Sequence, residues 1–235
     1  MPGGSVGTIL ITGGASGLGA AATRAVAGAG GRPVVIDRDV PPCAGDVDGL
    51  DYERADLADR TAAEEATRKL ADRAGGLDAV FTAAGTDACG PLADVPAGEW
   101  DRVIAVNLVG TAAVVRAALP YLELSHGRVV TCASTLGLRA LSDATAYCAS
   151  KFGVVGFSRA LAAELAGRVG VTMLVPGGMR TGFFDGRDPR YRPPADAMLN
   201  DPADVASAVL FALAQPRGCE LRELVICPAT ESSWP

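Results

Sequence analysis

The chain has 235 residues, of which 49% are hydrophobic and 20% are charged, and its formal net charge is −6. This composition excludes a disordered chain, and the lack of a basic run leaves no electrostatic footprint for nucleic acid. Apolar stretches are interrupted well before ~18 residues and the N-terminus lacks signal-peptide features, so we expect no membrane span and a cytoplasmic location. The six cysteines have no C-x-x-C spacing and the one histidine is His126, so we expect reduced thiols and no metal site.

Short β-rich runs alternate with longer Ala/Leu segments of helical period, which predicts stacked βαβ units around a parallel sheet. The predicted fold class is α/β, with a Rossmann-type, doubly wound sheet of seven parallel strands in a single domain. The predicted strands cover residues 6–11, 33–36, a short run near Tyr52, 79–82, 128–132, 171–175 and 223–227. The predicted helices cover residues 17–29, 60–73, 99–119, 146–166 and 202–215.

Two stretches depart from this regular alternation. Residues 38–56 contain prolines and glycines where a full crossover helix could stand, which predicts a short or irregular second crossover. Residues 181–200, "TGFFDGRDPRYRPPADAMLN", mix aromatic, charged and proline residues after the sixth strand. This mixture is typical of a mobile substrate lid, and the alternative is an ordinary surface loop.

A glycine-rich turn, "TGGASGLG", lies directly between the first strand and the first helix. Glycine at positions 13, 17 and 19 leaves room for the backbone to approach a pyrophosphate, because no Cβ stands in the way. The amides of Ser16, Gly17 and Leu18 would then face the anion from the positive end of the helix dipole. The turn therefore predicts a dinucleotide phosphate site at Gly13, Gly17 and Gly19.

The second strand ends in "VVIDRD", which places Asp37 where an adenine ribose would arrive. Its carboxylate can accept hydrogen bonds from the ribose hydroxyls but would repel a 2′-phosphate, so NAD(H) is favoured. The neighbouring Arg38 could bind a phosphate, which leaves NADP(H) possible. Asp56, after the third strand, could reach the adenine amino group, and its alternative role is the N-cap of the next helix.

A tyrosine and a lysine stand four residues apart in "AYCASK", residues 146–151, and Lys151 is one of only two lysines in the chain. Positions i and i+4 share one helix face, so Tyr147 and Lys151 can meet at one ligand. We expect the ammonium and an oxidised nicotinamide ring to lower the pKa of Tyr147 from ~10. Ser134, just beyond the fifth strand, can hold a substrate oxygen for proton exchange with Tyr147. Cys148 as a reactive thiol is an alternative without a nearby general base.

These motifs, in this order, resemble those of the short-chain dehydrogenase/reductase family, nearly from end to end of the chain. In that family the tyrosine is the acid/base, the lysine binds the nicotinamide ribose and the serine orients the substrate. The resemblance therefore implies these roles for Tyr147, Lys151 and Ser134. It rests on "TGGASGLG" at 12–19, Asp37, Asp56 and Leu57, Ala83, Ala84 and Gly85, Asn107, Ser134, Tyr147 and Lys151, and "PGGMRT" at 176–181.

The resemblance implies further features. Asn107 would help to hold a proton-relay water near Lys151, and its alternative is an amide packed against backbone. One departure is Thr82-Ala83, where the family commonly has two asparagines. Family members usually form homodimers or homotetramers through their long central helices. The residues that would line the nicotinamide are Pro176, Gly177, Met179 and Thr181.

The sequence thus favours an enzyme that transfers hydride between a secondary alcohol, or its ketone, and nicotinamide, with Tyr147 as acid/base. Two alternatives stay open: an NADPH-dependent 3-oxoacyl or polyketide-type ketoreductase, and a catalytically silent dinucleotide-binding sensor. We expect a small or medium apolar substrate, because the residues expected to wall its site are mainly apolar. They are Leu136, Leu138, Leu141, Phe183, Phe184 and Tyr191.

Overall fold

Strands and helices alternate along the part of the chain that the computed structural model describes, residues 6–41, 47 and 49–233. The strands are β1 (Thr8–Thr12), β2 (Arg32–Asp37), β3 (Asp51–Arg54), β4 (Ala79–Thr82), β5 (Arg128–Cys132), β6 (Gly170–Pro176) and β7 (Glu223–Ile226). The helices are α1 (Gly17–Gly28), α2 (Arg60–Ala74), α3 (Ala97–Ile104), α4 (Thr111–Ser125), α5 (Thr145–Glu164) and α6 (Pro202–Leu213).

All seven strands pair in parallel, in the order β3-β2-β1-β4-β5-β6-β7. Ile11 of β1 pairs with Val35 of β2 on one side and with Phe81 of β4 on the other. The strand order therefore reverses between β1 and β4, and ligands of doubly wound sheets bind at the carboxyl ends of the strands at such a reversal. The predicted seven-stranded, doubly wound parallel sheet is confirmed.

Helices bury both faces of this sheet. On one face α1 and α6 contribute Val26 and Val209 to a cluster that includes Phe81 of β4. On the other face α2, α4 and α5 pack side chains such as Leu70 and Leu122 against the strands. Burial on two faces is the reason that the strands read as nearly continuous apolar runs instead of alternating patterns. At ~25 cal/mol per Å² of buried apolar surface, this packing is the main source of stability.

Side-chain caps determine where several helices begin. Asp59 starts α2 by accepting a hydrogen bond from the N–H of Ala62, and Gly75 ends the helix with a φ of 80°. Asp201 caps α6 in the same way, and Pro202 follows at the first helical position, where its missing N–H costs nothing. Because Asp59 caps α2, the alternative role of Asp56 as that N-cap is wrong.

The helix predicted over residues 99–119 differs from the observed one in two respects. A π-helical turn, Ala105–Gly110, joins α3 to α4 in the middle of the predicted segment. The helix also continues past Pro120 to Ser125, because buried residues such as Leu122 hold the last turns on the sheet despite the missing N–H. His126 then ends the helix in the left-handed region, with a φ of 52°. The first strand is also shifted slightly, from the predicted residues 6–11 to Thr8–Thr12.

The crossover between β2 and β3 has no helix among its described residues, which fits the expected irregular segment. Residues 42–46 and 48, which include Cys43, lie outside the described residues.

The continuous helical stretch Ala97–Ser125 is long and apolar enough to cross a membrane, although the sequence led us to expect no span. However, 56% of its apolar window is buried inside the fold. Core helices of soluble proteins meet the same criterion, so this stretch is weak support for a membrane segment. The expected lack of a membrane span stays a prediction.

Candidate active site

A cleft of about 1310 Å³ runs along the carboxyl ends of the strands and is lined by the loops that follow β1 to β6, by α5 and by the C-terminal tail. It brings together the residues predicted from the sequence, with two exceptions. Asn107 lies behind the cleft, and Leu138 packs instead against the buried cluster that contains Val154 and Met173. The chemistry of each part of the cleft follows from what these side chains contact.

The glycine turn closes tightly against the loop after β4. Gly13 has a φ of 74°, and a Cβ placed there would lie 2.8 Å from the Cα of Ala84. A Cβ on Gly19 would lie 2.1 Å from the Gly13 carbonyl oxygen. The first turn of α1, with Gly17 and Leu18, carries no acidic side chain, and Ser16 makes no capping hydrogen bond. The backbone N–H groups at the N-terminus of α1 are thus available to bind an anion.

Asp37 lies at the end of β2 and faces the glycine turn. Its Oδ2 accepts a hydrogen bond from the N–H of Ala15 at 2.8 Å, and its Oδ1 accepts one from the N–H of Asp39 at 3.0 Å. The exposed side chain of Arg38 forms an ion pair with Asp39, with 3.2 Å between Nε and Oδ2. The carboxylate is therefore fixed in place, and the arginine next to it has a carboxylate partner of its own.

Asp56 and Leu57 follow β3 and line the cleft near Asp37 and Arg38. An Asp56 oxygen lies 2.8 Å from Nη2 of Arg102 on α3. Burial opposes the charge on Asp56, but hydrogen bonds from Ala58 and Arg102 outweigh it, so its pKa is below the ordinary value. Leu57 is buried under the π-helical turn, where a Cβ on Gly110 would lie 2.6 Å from the Leu57 carbonyl oxygen.

The loop after β4 supplies Ala83, Ala84 and Gly85 to the floor of the cleft. The N–H of Ala84 donates to Oγ1 of Thr12 at 3.2 Å, which ties this loop to β1. Thr82, which stands where the family commonly has asparagine, is buried, and its Oγ1 has no hydrogen-bond partner among the described residues. The departure thus leaves an unsatisfied hydroxyl in the central sheet.

Ser134, Tyr147 and Lys151 converge at the floor of the cleft. Lys151 is 4% exposed, and its Nζ donates to the carbonyl oxygen of Cys132 at 2.9 Å and lies 5.6 Å from the centre of the Tyr147 ring. Ser134 is also buried and accepts a hydrogen bond from the N–H of Leu136, and its hydroxyl is near enough to the phenol to oppose the rise in the pKa of Tyr147. The i and i+4 spacing on α5 thus brings phenol and ammonium together beside a serine.

The electrostatics of this group differ from the expectation. Burial raises the pKa of Tyr147, Cys132 and Asp87 add to the rise, and the Ser134 hydroxyl and the charge of Arg187 offset only part of it. Burial also lowers the pKa of Lys151. In the protein alone the pKa of Tyr147 is therefore not lowered, because both groups are desolvated and the Lys151 amine is engaged by a carbonyl oxygen. The lowering expected with an oxidised nicotinamide ring beside the phenol stays a prediction.

Asn107 lies in the π-helical turn, a kind of local structure that is frequent at functional sites. Its Nδ2 donates to the Thr86 carbonyl oxygen and to Oγ of Ser150, both at 2.9 Å, and its Oδ1 accepts from the N–H of Thr86 at 2.8 Å. The amide thus ties the π-helical turn to the β4 loop and to α5, as in the packing alternative. A role in holding a water stays a prediction.

The segment after β6 forms a wall of the cleft next to the glycine turn. Pro176, Gly177, Met179 and Thr181 all line the cleft, and a Cβ on Gly17 would lie 3.5 Å from the Cβ of Thr181. Glu231, from the C-terminal tail, accepts a hydrogen bond from the N–H of Gly178 at 2.8 Å. Burial opposes its charge, but hydrogen bonds from Ser233 and Gly178 hold its pKa below the ordinary value. The tail thus stabilises this wall.

The end of the cleft at which the sequence predicts the substrate, called the substrate end below, is more polar than expected. The apolar residues that line it are Leu136, Leu141, Phe183, Phe184 and Tyr191. Asp87, Asp143 and Arg187 line it as well, and Oδ2 of Asp143 accepts a hydrogen bond from the Tyr191 hydroxyl at 2.8 Å. Reasoning from the sequence missed these three residues and Glu231. The one available signal was the presence of charged residues in these loops, which is common at any surface.

Comparisons with known proteins show the family to which the chain belongs. The family model of the short chain dehydrogenases matches residues 7–191. An uncharacterised oxidoreductase of Staphylococcus aureus strain MW2 is 31% identical over 226 residues, 93% of this chain and 96% of the relative. D-threitol dehydrogenase of Mycolicibacterium smegmatis is 36% identical over 167 residues, 68% of this chain and 64% of the relative. A serine dehydrogenase solved in closed form with NADP+ has a TM-score of 0.88 at 26% identity, and the match covers 96% of each chain.

The chain therefore belongs to the short-chain dehydrogenase family and is an oxidoreductase of that family. The resemblance identified from the sequence motifs is confirmed.

Proposed function

We propose that this oxidoreductase interconverts a secondary alcohol and its ketone, with Tyr147 exchanging the proton and a nicotinamide dinucleotide exchanging the hydride. The observation that carries the proposal is the convergence of Ser134, Tyr147 and Lys151 on the floor of a cleft that also contains the glycine turn. The side chains of this set have the chemistry for proton exchange at a substrate oxygen.

The residues of the cleft fit a nicotinamide dinucleotide. Close packing at Gly13 and Gly19 excludes any side chain at these positions, so the turn can form only with glycine there. The backbone N–H groups at the N-terminus of α1 are suited to bind a pyrophosphate. Asp37 would accept hydrogen bonds from the adenine ribose, Asp56 would lie at the adenine, and Lys151 would donate to the nicotinamide ribose. When bound, the dinucleotide supplies hydride transfer, which no side chain can perform.

Tyr147 is suited to act as the acid in ketone reduction. Because burial raises its pKa, the phenol is neutral at pH 7 and holds the proton that the substrate oxygen requires. Ser134 would hold that oxygen next to the phenol, and the Lys151 ammonium would stabilise the phenolate left after proton transfer. In alcohol oxidation the same proton moves from the substrate oxygen to Tyr147, which must first be deprotonated.

We infer a preference for NAD(H) over NADP(H). The carboxylate of Asp37 is held at the end of β2 by two backbone N–H groups, so a 2′-phosphate would approach a fixed negative charge. One observation supports the alternative, an NADPH-dependent ketoreductase: the similar serine dehydrogenase was solved with NADP+. Arg38 could bind the 2′-phosphate of NADP(H) only after its ion pair with Asp39 is broken. The silent sensor is disfavoured by the complete set of Ser134, Tyr147 and Lys151.

Residues 181–200 are proposed to act as a substrate lid. Their base is closed by a bridge between Met179 and Asn200, with the N–H of Arg180 donating to the Asn200 carbonyl oxygen at 2.9 Å. Within this segment, the ring of Phe183 packs against the ring of Tyr147, with 5.6 Å between the ring centres. A closed lid of this kind excludes water from the reacting groups.

A cytoplasmic homodimer or homotetramer is also proposed. The unpaired thiols among the described cysteines support a reducing compartment. Phe152 is exposed on α5, one of the long helices through which family members usually pair, and this supports contact with another copy through that helix.

Fluorescence titration with NADH and NADPH, followed by a rate screen of secondary alcohols and ketones, tests the proposed function. We expect tighter binding of NADH, and turnover of at least one alcohol or ketone. The variant Asp37→Ser should bind NADH more weakly and narrow the difference between the two dinucleotides, whereas Asp101→Ser, an exposed control on α3, should not. Binding of neither dinucleotide would contradict the function, and tighter binding of NADPH by the wild type would contradict the role of Asp37.

A further inference from the structure

An ion pair between Asp87 and Arg187 lies inside the substrate end of the cleft. Oδ2 of Asp87 is 2.9 Å from Nη2 of Arg187, and the two side chains are only 9% and 15% exposed. Every other ion pair among the described residues has at least one exposed partner. Burying two charges carries a desolvation cost that a surface pair avoids, so this pair calls for a functional reason.

The pair borders the space next to the reacting phenol. The Arg187 guanidinium lies 4.7 Å from the ring centres of both Phe183 and Phe184, which fix its position. Phe183 in turn contacts the ring of Tyr147. The phenol is sensitive to both charges, because Asp87 raises and Arg187 lowers the pKa of Tyr147. A substrate held at Tyr147 would therefore lie beside this ion pair.

Both members of the pair have hydrogen-bonding capacity left. Asp87 accepts hydrogen bonds from the N–H of Ala88 at 2.7 Å and from the Cys89 thiol at 3.1 Å, and its Oδ2 forms the ion pair with Arg187. These contacts use three of about four acceptor positions of a carboxylate, and the ion pair uses only part of the five N–H donors of a guanidinium. The site can therefore both accept from and donate to a bound molecule.

We propose that the Asp87–Arg187 pair selects neutral, hydroxylated carbonyl or alcohol substrates, a proposal that rests on the proposed function. A substrate hydroxyl can donate a hydrogen bond to Asp87 and accept one from Arg187. These hydrogen bonds would replace those to water that are lost when the substrate binds. An alkyl chain would leave Asp87 and Arg187 without these hydrogen bonds, and unsatisfied polar groups in a buried site cost binding free energy. A substrate carboxylate would be attracted by Arg187 but repelled by Asp87. This proposal differs from the apolar substrate expected from the sequence, which no observation tests.

Reduction of three ketones with the same four-carbon chain tests this proposal in the wild-type protein. They are 1,3,4-trihydroxybutan-2-one, butan-2-one and acetoacetate, measured with whichever reduced dinucleotide binds more tightly. We expect kcat/KM for the trihydroxyketone to exceed that for each of the other two by at least about tenfold. If butan-2-one or acetoacetate is reduced as well as the trihydroxyketone, the inference is overturned while the proposed function stands. If none of a broad panel of ketones and alcohols is turned over, the proposed function itself fails.

Asp87→Asn tests the part played by the ion pair. This variant leaves the Arg187 charge unbalanced, so kcat/KM for acetoacetate relative to the trihydroxyketone should rise by at least about tenfold. Arg187→Gln should lower that ratio and provides a second test should the first variant not fold, as judged by its melting temperature. Glu123→Gln is the control, because it breaks the exposed pair of Glu123 with Arg168 and should leave the ratio unchanged. A ratio unchanged from wild type in folded Asp87→Asn would overturn the proposal.

Discussion

Single side chains in this cleft owe their chemistry to desolvation. Tyr147 and Lys151 were expected from their spacing to form a phenolate and ammonium pair, and the spacing does bring them together. Spacing carries no information about burial, however, and burial favours the uncharged form of both groups. In the protein alone, Tyr147 is therefore a proton donor, and the Lys151 amine has an acceptor in the Cys132 carbonyl.

The titration of Tyr147 should reflect this burial. We expect its phenol to stay neutral through pH 10 in the protein alone, because its pKa is raised from the ordinary ~10. Addition of NAD+ should lower that pKa, since a positive ring near the phenol favours the phenolate. Ultraviolet difference titration of wild type against Tyr147→Phe isolates this group from the other three tyrosines. A wild-type component that titrates between pH 7 and 9 without NAD+ would show that burial does not dominate.

Thr82 permits a test of the unsatisfied hydroxyl in the central sheet. Thr82→Val should leave the free energy of unfolding unchanged or raise it by about 1 kcal/mol, because the buried Oγ1 has no partner to lose. Its neighbour across the sheet is a matched control, since Thr131 pairs with Thr82 in register and its Oγ1 is hydrogen-bonded to Ser158 at 2.6 Å. Thr131→Val should therefore destabilise the protein in urea unfolding. Equal losses from the two variants would mean that Thr82 is hydrogen-bonded after all.

At the scale of elements, sequence pattern predicted the strands and helices because each buries an apolar face of the expected period. It could not predict the π-helical turn, since Asn107 and its neighbours look like ordinary helix residues until the contact with Thr86 is known. It also ended the helix before Pro120, because the stabilising contact of Leu122 with the core is not visible locally. Tertiary packing overrode local preference in both cases.

The glycine turn between β1 and α1 offers a matched pair of substitutions. Gly13→Ala should lower dinucleotide affinity by about a hundredfold or more and destabilise the fold, because alanine is strained at a φ of 74° and its Cβ would meet the Ala84 backbone. Gly28→Ala, on the exposed end of α1, meets no atom within 4 Å and should stabilise the protein by up to about 1 kcal/mol. NADH titration and urea unfolding measure both effects. Wild-type affinity in Gly13→Ala would contradict the proposed phosphate site.

At the scale of the whole molecule, the parallel sheet gathers the carboxyl ends of its strands at one edge, and this is why sequence motifs far apart converge. Residues at or just beyond the carboxyl ends of strands, such as Asp37 and Ser134, could be predicted for that reason. Arg187 and Glu231 could not, because their places depend on the path of a long loop and of the C-terminal tail. Their contacts, with Asp87 and Gly178, span 100 and 53 positions of the chain.

The central claim is that Tyr147 exchanges the proton in a cleft that holds the dinucleotide independently of it. Single-turnover reduction of a ketone substrate by Tyr147→Phe, with the dinucleotide dissociation constant measured on the same sample, tests this claim most directly. We expect the rate to fall by at least about a thousandfold, because phenylalanine has no proton to give, while dinucleotide affinity changes less than about threefold. A rate close to that of the wild type would contradict the account.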